Sequence, residues 1–150
     1  MFTIEKPKEI HLNSWKEIIN ESASSNSFQF EEVNFSLFWT CIFRDDYFAF
    51  AAKNEDKFMG IVVAKINETY YEKNIVLDVL YVLQDFRKIG VARALMNKIE
   101  EIAKEKNLDL IIKGVEKSNL LAQKLFKNYA VVNRTRSVSY THLTLPTISV

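Results

Sequence analysis

The residues with the clearest chemical content are Arg87, Lys88, Ile89, Gly90, Val91 and Ala92, between a strongly apolar segment and a run of helical periodicity. Unpaired N–H groups collect at the first turn of a helix, which carries about half a positive charge. A glycine there lets an anion approach the backbone, and Arg87 and Lys88 add two cations, so the six residues form a cradle suited to a pyrophosphate. Without an anion, two basic side chains at a helix start would oppose the dipole. No Gly-Lys-Ser/Thr follows, which excludes a Walker loop, and two of the three glycines of the dinucleotide fingerprint are missing.

The second such position is Asp78. The segment NIVLDVLYVL, Asn74 to Leu83, is otherwise apolar after its first residue, and a strand buried on both faces seldom carries a charge. Two readings stand beside each other. Asp78 binds a substrate ammonium or passes its proton to solvent through water, or it sits at a strand end or is paired with a lysine.

These residues need a frame. Phe2 to Ile4 reads as a short strand, and the stretch after Pro7 as a helix with Ile10, Trp15, Ile18 and Ile19 inward. A second helix places Phe30, Val33, Leu37, Phe38, Cys41 and Ile42 on one side, with Phe35 and Trp39 widening it. Tyr47 to Lys53 and Lys57 to Asn67 are β-prone and joined by Asn54, Glu55 and Asp56, the signature of a hairpin. Asn74 to Leu83 is then the central strand. VARALMNKIEEIAKEK is a helix with Val91, Leu95, Ile99 and Ile102 in one stripe, followed by LDLIIKGV as a strand parallel to the central one. SNLLAQKLFKNY is a last helix, and Val131 to Arg136 begins a further strand. The aromatics between Phe28 and Phe50 are read as core, and His11 as exposed. The order is mixed α/β around one sheet.

Totals exclude several classes. The 150 residues are 48% hydrophobic with a formal net charge of +1, so no basic field for nucleic acid exists. The single Cys41 cannot form an intramolecular disulfide, and no cysteine–histidine spacing implies a metal. Neither a leader nor a membrane span is read, and a cytoplasmic protein is expected.

Arg87, Gly90 and Ala92 resemble the central signature of the GNAT family of N-acetyltransferases: Arg or Gln, two residues, Gly, one residue, then Gly or Ala. Leu80-Tyr81-Val82, Phe86, and Asn119 with LFKNYA downstream extend the likeness over most of the chain. The resemblance implies a mixed, mostly antiparallel sheet with a parallel, splayed βαβ cofactor unit and helices on both faces. It implies acetyl-CoA, with its pyrophosphate on Arg87 to Ala92 and its pantetheine arm paired like an extra strand with Leu80, Tyr81 and Val82. A backbone N–H near Val82 would meet the thioester carbonyl, Asn119 would touch the cofactor, and Asp78 matches an acidic position before the family's Leu-Tyr/Phe-Val. The expected activity is acetyl transfer to an amine of a small molecule or peptide by direct attack in a ternary complex. The alternative is a catalytically silent acyl-CoA-binding sensor or interaction module, which Phe126 keeps open because many members carry a proton-donating tyrosine there. Tyr129, about one turn on, is the candidate substitute, with a packing role beside it. Glu31, Glu32, Asp45, Asp46 and the Tyr70-Tyr71-Glu72 turn are candidates for recognising a cationic acceptor. A homodimer is compatible, since the family commonly dimerises through sheet edges or C-terminal strands.

Every Asp, Glu, Lys and Arg falls before residue 137, leaving SVSYTHLTLPTISV uncharged. Val138 to Thr147 resembles a translated sequencing adapter, so the domain is expected over residues 1–136, truncated in its penultimate strand, with 137–150 a non-native tail. The other reading is a genuine final strand, which Pro146 would confine to an edge.

Overall fold

A computed structural model of the chain describes residues 1–25, 32–112 and 147–149. The chain starts with β1 (Thr3–Glu5), then α1 (Leu12–Ser25) and α2 (Glu32–Cys41). The hairpin β2 (Tyr47–Asn54) and β3 (Lys57–Glu68) leads into β4 (Lys73–Val82), α3 (Val91–Lys106), β5 (Asp109–Ile111) and β6 (Thr147–Ser149). The sheet order is β1-β2-β3-β4-β5, with β6 also pairing β4. Contacts among β1 to β4 are antiparallel, whereas β5 and β6 run parallel to β4. Helices cover both faces, as the expected mixed α/β architecture requires.

The β2–β3 turn closes on Glu55 and Asp56, with Glu55 at a φ of +56°. Strand alternation then divides the core in two. On one face Ala52, Val62, Ala64, Ile75, Leu77, Leu80 and Val82 meet Val91, Leu95, Met96, Ile99 and Ala103 of α3. On the other, Ala51, Ile61, Val63, Val79 and Tyr81 meet Trp15, Ile18 and Ile19 of α1 and Phe35 of α2. The Gly90 carbonyl accepts from Ala94 to open α3, and Asn107, at a φ of +56°, ends it.

Four burial assignments change. Phe43, read as core, is exposed, with its ring edge-on to Trp39 at 5.0 Å. Ile10 is exposed, because the residues before Leu12 form a 3-10 turn whose phase differs from that of α1. Leu37 is exposed, since Phe35, with Phe38 and Trp39 beside it, makes the inner face of α2, continued by Ile42 just after the helix. His11 is partly buried edge-on to Phe58 at 5.0 Å, and desolvation pulls its imidazole below the usual value. Phe28, Phe30, the last helix, the strand from Val131 and residues 137–146 lie outside the described residues.

Ile99 is fully buried at the centre of the α3 face. Ile99→Ala should lower the unfolding free energy by about 2–5 kcal/mol, measured by urea denaturation.

Candidate active site

The site is built on one edge of β4. Along its opposite edge β4 pairs with β3 from Lys73 to Val82. Its other edge is divided: β5 pairs with Asn74, Ile75 and Val76, and β6 pairs with Val79, Leu80 and Tyr81. The dividing point is Asp78. Val63 faces Val79 and Ala64 faces Leu77, so Asp78 is the extra residue of a β-bulge. Leu77 packs on the α3 face and Val79 on the α1/α2 face, one on each side of the bulge. This explains how a carboxylate sits in an apolar strand: at the bulge Asp78 is only half-buried.

The Asp78 carboxylate lies near enough to Tyr47 to act on its hydroxyl. Tyr47 has its hydroxyl pushed above the usual value, first by burial and then by Cys41 and the Asp78 and Asp46 carboxylates, which all disfavour a phenolate. Asp46 itself pairs with Arg44 at 3.2 Å. Tyr70 and Tyr71 are fully exposed in the β3–β4 turn, at the opposite end of β4 from the Arg87 loop. A ten-residue strand separates them, roughly 30 Å. The turn is thereby removed from the loop. Glu31, Asn119, Phe126 and Tyr129 lie outside the described residues.

Past β4 the chain makes a 3-10 turn, Gln84–Phe86, and reaches the basic loop. Phe86 packs against the α3-side core, with Lys57 Nζ 5.2 Å from its ring centre. Arg87 folds back: its Nε donates to the Val82 carbonyl at 2.8 Å, and its guanidinium lies over the Tyr81 ring at 5.3 Å. Lys88, Ile89 and Gly90 are exposed, while Val91 is buried as the first anchor of α3. Lys88 and Gly90 both have left-handed backbones, with φ of +68° and +91°. Gly90 is the N-cap of α3 and supplies no side-chain hydrogen bond, and a Cβ on it would meet nothing within 4 Å. The first-turn N–H groups are therefore presented with open space before them, the arrangement an anion needs.

Tyr81 was expected to contribute its backbone, but its side chain also takes part. Buried on the α1/α2 face, its hydroxyl donates to Glu21 Oε2 of α1 at 3.0 Å. Glu21 is a functional-type residue that periodicity could not single out, because it lies on the polar side of α1 and its partner is sixty residues away. Among the described residues no His, Cys, Asp and Glu group could hold a metal ion, and no helix is long and apolar enough to cross a membrane.

The described residues thus combine a mixed sheet, a central-strand edge shared between β5 and β6, and a following helix start with no side-chain cap. The profile of the Acetyltransferase (GNAT) family matches residues 13–130. The chain belongs to that family and is an acyltransferase. Solved structures share the fold. One is an aminoglycoside N-acetyltransferase in complex with CoA, with a TM-score of 0.71 at 18% identity over 85% of this chain and 86% of that one. Another is an aminoglycoside acetyltransferase from an uncultured soil metagenomic sample in complex with sisomicin, with a TM-score of 0.69 at 18% identity over 85% and 86%. A third is a putative acetyl transferase from Pyrococcus furiosus, with a TM-score of 0.66 at 24% identity over 85% and 91%. No curated protein matches the chain.

The Tyr81–Glu21 bond ties β4 to α1. In a double-mutant cycle of Tyr81→Phe and Glu21→Gln, the coupling free energy should be about 1 kcal/mol in urea denaturation.

Proposed function

We propose that the chain transfers an acetyl group from acetyl-CoA to a primary amine of a small molecule or peptide, by direct attack in a ternary complex. The observation that carries this reading is the edge of β4 at Val79 to Tyr81. It takes an extended backbone, here that of β6, and lies one short loop before an uncapped helix start. A pantetheine arm is an extended chain of amides that would pair there as β6 does. The pyrophosphate would follow onto the N–H groups of Val91 and Ala92 and the loop of Lys88, Ile89 and Gly90. The guanidinium donors of Arg87 not used on Val82 would complete the charge. Asn119 is assigned a further cofactor contact.

The chemistry asked of the protein is modest. The amine must lose a proton to attack, and Asp78, half-buried at the bulge, would accept it through water and return it to solvent. A backbone N–H near Val82 would stabilise the oxyanion as the carbon–nitrogen bond forms. The carbon–sulfur bond then breaks, and the leaving thiolate takes a proton from Tyr129 or from water. Acetyl-CoA, when bound, supplies the activated acyl group. The aminoglycoside acetyltransferases sharing this fold favour a small cationic amine as acceptor, in keeping with the carboxylates of Asp78 and Glu21 on β4 and α1.

The reading is tested by following thiol release from acetyl-CoA with a panel of polyamines, aminoglycosides and peptides. Arg87→Glu should weaken CoA binding by at least about thirtyfold, or about 2 kcal/mol, in calorimetry. Asp78→Asn should lower kcat/KM by about a hundredfold with CoA affinity retained. CoA affinity untouched by Arg87→Glu would remove the phosphate assignment.

β6 and the arm would compete for one row of hydrogen bonds. A chain ending at residue 136 should therefore bind CoA more tightly than the full chain, by the inverse of the fraction of molecules whose β4 edge is free. Equal affinities in the two chains would place the arm elsewhere.

A further inference from the structure

Gly60 lies where β3 is irregular. Ala52 of β2 faces Gly60 and Lys53 faces Phe58, which leaves Met59 bulged out of the ladder. On its other side Gly60 is the partner of Val82, and the Leu83 N–H donates to the Met59 carbonyl at 2.9 Å. A Cβ at Gly60 would stand 2.8 Å from the Tyr81 carbonyl oxygen and 3.2 Å from both Cα and Cγ2 of Val82. Comfortable carbon contacts begin near about 3.5 Å, and a backbone carbonyl cannot rotate out of the way as a side chain can. Gly60 does not have a left-handed backbone. Space, rather than conformation, demands glycine here.

The atoms it would strike belong to the peptide that the site uses from the opposite side. The Val82 carbonyl holds Arg87 Nε, the Tyr81 ring lies under the guanidinium, and Tyr81 is the last residue of β4 paired with β6. We infer that Gly60 is a positioning residue for acetyl transfer: by having no side chain it lets β3 close on Tyr81 and Val82. It thereby fixes both the strand edge for the pantetheine arm and the carbonyl that aims Arg87. The inference rests on the cofactor placement proposed above and adds a residue on the neighbouring strand, thirty residues from the loop motif.

The test compares CoA affinity by calorimetry for the full-length wild type, Gly60→Ala and Ile99→Ala, at a temperature where circular dichroism shows all three folded. Ile99 is buried in the core more than two turns along α3 from the loop, so its loss reports destabilisation alone. Gly60→Ala is expected to weaken CoA by about tenfold or more, as displacements of this size do in preorganised sites, while Ile99→Ala stays within about twofold of wild type. If Gly60→Ala does not fold, Gly60→Ala/Val82→Ala, which removes the Cγ2 contact, is measured against Val82→Ala with the same expected loss. Wild-type affinity in the glycine variant, or an equal loss in Ile99→Ala, overturns the inference and leaves the cofactor placement standing. Failure of both the full chain and the chain ending at residue 136 to bind CoA overturns that placement, and this inference with it.

Discussion

The constraint on which the molecule depends is the hydrogen-bonding demand of β4's second edge. Val79, Leu80 and Tyr81 are nearly or fully buried, so their outward N–H and C=O groups need partners. β3 pairs along one row, and among the described residues the β5 ladder stops at Val76. The extra residue at Asp78 comes next, and a bulge bends a strand and increases its twist. A neighbour in register before Asp78 is thus out of line after it. The bulge splits one edge into two seats, one for β5 and one for another extended chain, which β6 takes. One added residue so yields a half-buried carboxylate and an adjacent edge that takes an extended chain.

The rest of the fold brings a helix start to the end of that edge. Small residues on the sheet, Ala52 and Ala64 on the α3 face and Ala49 and Ala51 on the other, let helices lie close. Val91, Leu95 and Ile99 anchor α3, so its first turn is fixed where the chain leaves β4. Phe86, packed against the core, and Arg87, turned back onto Val82, hold the loop between them. The site is rigid because each element that presents it is tied to the same two-sided core.

Much of this was legible in the sequence, for identifiable reasons. α3 carries a clean 3.6-residue stripe and begins after a glycine, so its bounds coincide with those read from periodicity. The hairpin was legible because β2 is rich in aromatics, β3 in Ile and Val, and the turn between them is polar. α2 was less so: aromatic on nearly every side, it gave no unique phase, and Leu37 was placed inward when it is exposed. Register was not legible. The alternation of NIVLDVLYVL does not reveal that Asp78 is an added residue, and nothing local marks Gly60 as facing Val82. Glu21 and Tyr81 meet only because α1 lies across β4, a consequence of tertiary packing.

Lys88 shows how composition and geometry divide the explanation of the loop. Its charge suits an anion, yet charge could be supplied from either side of Gly90 and in any backbone conformation. The structure holds Lys88 at a φ of +68°, which costs a non-glycine residue about 1–2 kcal/mol, two positions before Gly90 at +91°. Two left-handed residues so close reverse the chain sharply enough to carry it from the end of β4 into α3, while Lys88, Ile89 and Gly90 remain exposed. Such strain persists only where the surroundings impose it. Here the anchors are Phe86, partly buried against the core, on one side and the buried Val91 on the other. The loop is thus a tight span between two core contacts, and the same tightness leaves the α3 N-terminus uncapped and facing solvent.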